Sequence, residues 1–466
     1  MSENKFEDLI YKKKTVFERE SEEEISKMKE YGARYMKWLD KSKTEREASR
    51  NIIAALREAG FEEYDPKKTL RTGDRFFINN RGKNVMAAVV GSGDIEEIGI
   101  RISASHIDSP RLDLKPLPVF ESDGVGYFKT HYYGGVRKYQ WPTIPLSLHG
   151  VVVKKDGSTV DIVVGEDEGD PVFCISDLLP HLAGEQGTKP LNKAFTGEGL
   201  NIMICSSPAL DEGKPVENDA VKINILSILK EKYGITEEDF LSADLCAVPA
   251  TKAADVGFDR WLIGAYGHDD RVCAYPMLTA LLDNAASPNH TLIAIFADKE
   301  EVGSDGPTGM KGKLFSDLVD KISRDLGADP AVVRAHSACL SADVAAAYDP
   351  NYPEAFEKRN SAILHCGVGF CKYTGHGGKV STNDAGAEFS AKMRSLLDRA
   401  GVVWQMAELG KVDQGGGGTV AMFISTLNID TIDIGVPVIA MHSPFEIISK
   451  GDLYEAHKAF SAFNAE

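Results

Sequence analysis

The chain has 466 residues, 43% of them hydrophobic and 26% charged, with a formal net charge of −17. That length is too great for one ordinary hydrophobic core and points to two domains. The acidic balance excludes nucleic acid or an anionic membrane as the main partner, since both select basic surface.

The first predicted elements are two amphipathic helices. Ser21 with Glu24 makes a capping-box pattern ahead of Ile25, Met28, Tyr35 and Leu39, which share a face. Thr44 with Glu47 repeats the pattern ahead of Ala48, Ile52 and Leu56, and Gly60 supplies the stop. Strands are expected over 85–90 and 98–105, joined by a turn at 91–94. Ile98, Ile100, Ile102 and Ala104 share a parity that His106 and Asp108 continue.

After Pro116 the character changes. Short β-like runs such as 150–153 and 160–164 alternate with acidic, turn-rich connections such as 166–170. Residues 117–245 therefore read as an inserted, strand-rich domain. Residues 1–116 and 246–466 read as one discontinuous domain. In its second half, strand signals at 291–297, 338–342, 362–366 and 437–441 alternate with helix signals at 272–282, 387–400 and 452–460. This is an α/β pattern: a mixed, mostly parallel sheet covered by helices on both faces.

Seven cysteines without a Cys-x-x-Cys pair read as reduced thiols of a cytoplasmic protein. The opening Met-Ser-Glu-Asn-Lys-Phe-Glu-Asp lacks the layout of a secretory leader. No apolar stretch nears the roughly 20 residues of a membrane span.

Acid and imidazole groups collect where the β-like runs end. His106 follows 98–105, Glu301 follows 291–297, Asp343 follows 338–342 and His442 follows 437–441. Singly, each is an ordinary cap or satisfied core group. Together they match the rule that open α/β sheets bind ligands beyond the carboxyl ends of their strands. Two histidines and several carboxylates form a nitrogen–oxygen site suited to a pair of zinc-like ions, with cobalt or manganese also accepted.

Asp108 is spaced to take the second N–H of a metal-bound His106, which fixes the tautomer. Asp269-Asp270-Arg271 precedes a helix-like stretch, where one carboxylate either bridges two cations or caps the helix. Glu300 and Glu301 are neighbours, and in an extended chain they face opposite ways. That suits one binding metal and the other holding the attacking water; a solvated acidic turn is the plainer alternative. Ser443-Pro-Phe-Glu446 reads as a capping box that starts a helix just past His442. Gly415–Gly418 lacks the Gly-Lys-Ser/Thr of a phosphate loop and reads as a close-packed turn.

His106-Ile-Asp-Ser-Pro110, Asp298-Lys-Glu-Glu-Val-Gly-Ser304, Ser341-Ala-Asp343, Asp349-Pro-Asn-Tyr352 and Met441-His-Ser-Pro444 occur in this order. The ordered set resembles the aspartyl aminopeptidase family, which includes the vacuolar aminopeptidase I type, over nearly the whole chain. The resemblance implies a dinuclear zinc peptidase domain interrupted by a dimerisation domain, and assembly into a tetrahedral dodecamer.

By position, the resemblance makes His106, Asp269, Glu301, Asp343 and His442 metal ligands, with Asp269 bridging. It makes Glu300 the general base acting on a water between the ions, and Asp108 the group orienting His106. Leu179-Pro-His-Leu182 resembles the segment whose histidine reaches a neighbouring subunit, which gives His181 an oxyanion role. Lys372 matches a substrate-binding lysine.

The chain departs from the family at Lys299, at His268-Asp-Asp270 and at 139–145, and Asp269-Asp-Arg271 is similar instead to the related glutamyl and tetrahedral aminopeptidases. The expected function is removal of single N-terminal residues from peptides. Acidic preference and a broad or neutral preference both stay open, and a non-catalytic shell protein is the alternative from another class.

Overall fold

The computed structural model describes residues 9–466; Met1–Asp8, read above as no secretory leader, lie outside the described residues. Both N-terminal helices form where their caps predict. Glu22–Leu39 starts at Ser21, whose hydroxyl accepts the Glu24 N–H at 3.3 Å. Glu45–Glu58 has the full reciprocal box between Thr44 and Glu47. Gly60 stops the second helix at φ 82°. Met28, Tyr35, Leu39, Ile52 and Leu56 are buried.

The chain packs as two compact units. Among the described residues, one comprises 9–108, 253–441 and 446–466; the other comprises 109–252 with 442–445. The sequence boundary at Pro116 falls inside the strand Arg111–Ser122, at a register break between Leu114 and Val119. A proline fits such a break because it has no N–H to give the ladder.

The first unit is built on a nine-stranded sheet. Its spatial order is Glu62–Glu63, Arg75–Asn80, Asn84–Val89, Thr291–Ala297, Ile100–His106, Ala338–Ser341, Asp430–Gly435, Val368–Cys371 and Trp404–Met406. The central strands Thr291–Ala297, Ile100–His106, Ala338–Ser341 and Asp430–Gly435 are mutually parallel. Helices cover both faces. Val85, Ala87 and Val89 pack into a core with the helices Glu45–Glu58, His268–Asn284 and Lys450–Ala465. Met86, Ala88, Ile100, Ile102 and Ala104 face the other core, with Leu314–Asp325 and Ala421–Ser425. This is the mixed, mostly parallel, helix-covered sheet that the alternation of elements predicts.

Several local expectations are corrected. Ile98 ends a helical turn, Ile95–Ile98, and the strand begins at Ile100. The run at 362–366 keeps only an isolated bridge at Ala362, and the strand is Val368–Cys371. Gly367, at φ 80°, explains the shift: a Cβ there would lie 1.9 Å from the Val403 carbonyl oxygen. Pro437–Ile439 is a strand, but of a separate five-stranded sheet. No helix starts after His442, because Glu446–Ser449 is a strand of that same sheet.

The second unit has a six-stranded antiparallel sheet in the order Thr159–Val164, Leu146–Val153, Ala243–Pro249, Arg111–Ser122, Val125–Tyr133 and Ile202–Cys205. Leu112, Phe128, Leu148, Ile162 and Leu245 make its core, which includes Ile225 from the helix Ala220–Tyr233. No disulfide joins the seven cysteines, five of which are buried. Among the described residues, no helix is long and apolar enough to cross a membrane.

Candidate metal centre

Three adjacent parallel strands deliver the chemistry of the first unit. Ile100–His106 ends on His106, Thr291–Ala297 leads into Glu300 and Glu301, and Ala338–Ser341 leads into Asp343. A fourth element, the helix His268–Asn284, brings Asp269 and Asp270 in its non-helical first residues.

His106 is the hub. Its Nδ1 lies 3.1 Å from the Asp108 carbonyl oxygen and 3.4 Å from Asp108 Oδ1. Its Nε2 lies 3.1 Å from Asp269 Oδ1, 3.8 Å from Asp343 Oδ1 and 4.0 Å from Glu300 Oε2. Potential ligand atoms fall into two groups, each within 4.8 Å: His106, Asp270 and Asp343, and His106, Asp269 and Glu301. One imidazole nitrogen thus faces carboxylates while the other is held by Asp108, the division that a metal-bound histidine needs.

Asp108 does a second job that the sequence reading missed. Its oxygens accept the backbone N–H groups of Glu300 at 3.2 Å and Glu301 at 3.3 Å. The pair is not extended: Glu300–Val302 is a single 3-10 turn entered through Lys299 at φ 68°. The turn and the Asp108 contact hold both acids at the site, where an extended chain would send them apart.

Asp269 lies just inside its helix, whose cap position is Gly267. Its N–H donates to Glu446 Oε2 at 3.1 Å, so the residue expected in a capping box braces the site instead. The fully buried Arg271 donates from Nε to the Gly267 carbonyl and from Nη1 to the Ile107 carbonyl, both at 3.1 Å. Gly267 is required there: a Cβ would lie 1.5 Å from Arg271 Nη2.

The electrostatics are those of an anionic cluster. Burial pushes Glu300 up to about 8; His106 opposes the rise, and Asp343, Asp108 and Asp269 add to it. Asp270 lies well above the usual carboxylate range, first from burial and then from Asp343 and Asp269. Burial alone lowers His106, but hydrogen bonds to Asp108, Asp269 and Asp343 outweigh it and hold the imidazole well above its ordinary value.

The donor set fits a cation. No nitrogen or oxygen donor among the described residues reaches either oxygen of the fully buried Asp270, and the Cys273 thiol is a weak donor. A buried charge without a partner costs on the order of several kcal/mol. A divalent ion among these oxygens and one imidazole removes that penalty, and the donor types suit zinc.

The remaining expected residues are carried by other elements. His442 packs with the second unit, where Nδ1 lies 3.2 Å from the Gly135 carbonyl oxygen. His181 is exposed on a turn of that unit. Lys372 is half-buried at the end of Val368–Cys371 in the first unit, and its carbonyl accepts the Ala385 N–H at 2.9 Å. Asp270 and Glu446 were missed as site residues. The paired acids at 269–270 were the available signal for the first, and Glu446 had none.

The model of the aminopeptidase I zinc metalloprotease family (M18) matches residues 38–464. A probable M18 family aminopeptidase 1 from Clostridium acetobutylicum is 46% identical over 464 residues, covering 98% of this chain and 99% of the relative. The crystal structure of aminopeptidase I from Clostridium acetobutylicum superposes with a TM-score of 0.91 at 44% identity, covering 98% of this chain and 100% of the other. The structure of a yeast aminopeptidase described as a dodecamer has a TM-score of 0.75 at 22% identity, covering 94% and 97%; this likeness speaks to fold alone.

Proposed function

The chain belongs to the M18 zinc aminopeptidases, which are metal-dependent peptide hydrolases, and from that premise we propose that the His106 cluster is where it cuts single N-terminal residues from peptides. The observation that carries this reading is the convergence of His106, Asp269, Glu301 and Asp343 from separate elements around one imidazole. These four and His442 would hold two ions, with Asp269 between them and Asp270 as a further donor on the Asp343 side. Zinc is the family metal, and a nitrogen–oxygen set also takes cobalt or manganese. When bound, such ions polarise the scissile carbonyl and make water acidic enough to be a nucleophile at neutral pH.

The chain's own residues do the proton work. Glu300 takes a proton from the attacking water on its carboxylate and returns it to the leaving amine. Burial and the neighbouring acids raise Glu300 to about 8 against the pull of His106, and a nearby cation lowers it toward the base form. Asp108 keeps Nε2 of His106 turned to the cluster and steadies the backbone of Glu300. Lys372 receives an acidic first side chain, and the broad or neutral alternative follows if it does not.

Glu300→Gln tests the reading. Zinc content stays near wild type, and turnover of aspartyl- and leucyl-p-nitroanilide falls by about a hundredfold or more; wild-type-like turnover removes the assignment. The ratio of the two substrates in the wild type decides the selectivity.

The second unit is read as a dimerisation domain, within an assembly of the dodecameric kind described for the yeast relative. In that assembly, His181 donates to the oxyanion in a neighbouring copy. Light scattering that returns a monomer ends the cross-subunit role. Cysteines without disulfides support a cytoplasmic location.

A further inference from the structure

The glycine run 415–418 has no role in the chemistry above, yet its surroundings are built with care. Gly416, at φ 89°, lies against the loop that follows Lys372: a Cβ there would meet the Gly375 carbonyl oxygen at 2.2 Å. Gly417 N–H donates to the Thr374 carbonyl at 3.2 Å. Lys411 and Gln414 exchange backbone hydrogen bonds of 3.0 and 2.8 Å, which closes the loop on itself.

The end of the run is tied to the sheet. Thr419 Oγ donates to Asp433 Oδ1 at 2.7 Å, and both residues are buried. Asp433 lies in Asp430–Gly435, in register with Ser341 on one side and Cys371 on the other. Among the described residues its Oδ2 has no hydrogen-bond partner, with the Ser341 hydroxyl alongside as a weak donor at most. Two residues further on, Gly435 is pressed onto Asp343: a Cβ there would lie 1.6 Å from the Asp343 carbonyl oxygen. One short path therefore links the glycine loop, through Thr419, Asp433 and Gly435, to the backbone of a proposed metal ligand.

A buried carboxyl with a single firm donor is a costly way to stabilise a surface loop. Its return is registration: the hydroxyl–carboxylate bond sets where the loop stands relative to Asp343. Gly417 has no atom within 4 Å on its side-chain face, so one side of that backbone is open. Such a stretch lets another main chain approach closely on its open side, while the Gly417 N–H stays with Thr374.

We propose that Thr419 and Asp433 are positioning residues of the peptidase reaction, pinning the glycine loop as a rail for the substrate main chain beyond the scissile bond. A peptide of three or more residues uses the rail; an aminoacyl-p-nitroanilide, which has no main chain past the cut, does not. The inference rests on the peptidase reading of Glu300. Failure of that reading shows as unaltered turnover in Glu300→Gln, whereas failure here shows in the ratio of peptide to anilide.

The test compares KM and kcat for a tripeptide and the matching anilide in Thr419→Val, Thr419→Ser and Gly417→Ala. Thr419→Val keeps the shape and loses the O–H. Its tripeptide KM rises about tenfold, the size expected for one lost buried hydrogen bond. Its anilide KM rises at most about threefold, and zinc content and Tm stay near wild type. Thr419→Ser keeps the donor and restores the tripeptide KM to within about twofold. Gly417→Ala has room for its methyl group, so it folds; it obstructs the rail and raises the tripeptide KM selectively. Equal effects on both substrates, an unaltered KM in Gly417→Ala, or losses that follow zinc content or Tm each overturn the proposal.

Discussion

Asp452 and Glu455, on the C-terminal helix Lys450–Ala465, are as deeply buried as Asp270, yet each of their oxygens has a donor. Asp452 accepts the N–H groups of Gly367 at 2.7 Å and His365 at 2.8 Å. Glu455 accepts the Val403 N–H at 2.7 Å and Lys458 Nζ at 3.0 Å. Three of these bonds hold the helix to segments 365–367 and 403, the Lys458 bond lies within the helix, and the chain itself supplies all four. Asp270 has no such donors, and it shares one imidazole with Asp343. The first pair is a joint of the scaffold. The second group is incomplete until a cation arrives, and burial that remains uncompensated is what marks it as functional.

Asp270→Asn should break this contrast with the largest effect after Glu300→Gln. In the metal-free protein, hydrogen bonds to Asp108, Asp269 and Asp343 raise His106 against the effect of burial, and burial raises Asp270, so both bind protons more readily than the free groups. Metal must displace those protons, and zinc affinity therefore rises with pH and binding releases protons. The variant binds zinc about ten- to a hundredfold more weakly, releases fewer protons and shows a shallower pH dependence. Titration calorimetry in buffers of different ionisation enthalpy reads all three. Wild-type affinity and proton release in Asp270→Asn would return Asp270 to an ordinary buried acid.

The same contrast shows what a sequence can and cannot display. His106, Glu301 and Asp343 were legible because each ends or follows a run whose length and parity mark a buried strand, and parallel strands bring such ends to one edge. The run before His442 looked the same, but Pro437–Ile439 joins a different sheet, and partner strands are not encoded in the run itself. Asp270 was hidden because its placement depends on a non-helical entry, with Asp269 at ψ 110° and Asp270 at φ −114°, which no side-chain periodicity records. Glu446 was hidden for a related reason. Ser443 and Glu446 have the spacing of a capping box, but Glu446 pairs with Ala265 in a strand, and its side-chain bond to the Asp269 N–H is made 177 residues away. The glycine loop was legible as a turn, while its tie to Asp433 was not, since a threonine 14 positions from an aspartate carries no local signal.

The smallest expected effect sharpens the other side of the contrast. Burial pushes Glu455 up to about 7, against the pull of Lys458 and the Val403 N–H. An acid whose folded value exceeds its unfolded value binds more protons when folded. Its contribution is therefore complete below about pH 4.5, the unfolded carboxyl range, and is lost as pH rises through 7. Glu455→Gln removes that titration while an amide oxygen can still accept the Val403 N–H. Asp452, shifted in the same direction, is present in both proteins and cancels from the difference. The Tm of the variant minus that of the wild type should thus move upward between pH 5 and 8, by about one or two degrees for a chain of this size. Zinc content should not change, because no oxygen of Glu455 serves the metal centre. A difference in Tm that is flat or falling with pH would mean that Lys458 compensates Glu455 fully, and that this joint stores no pH-dependent strain at all.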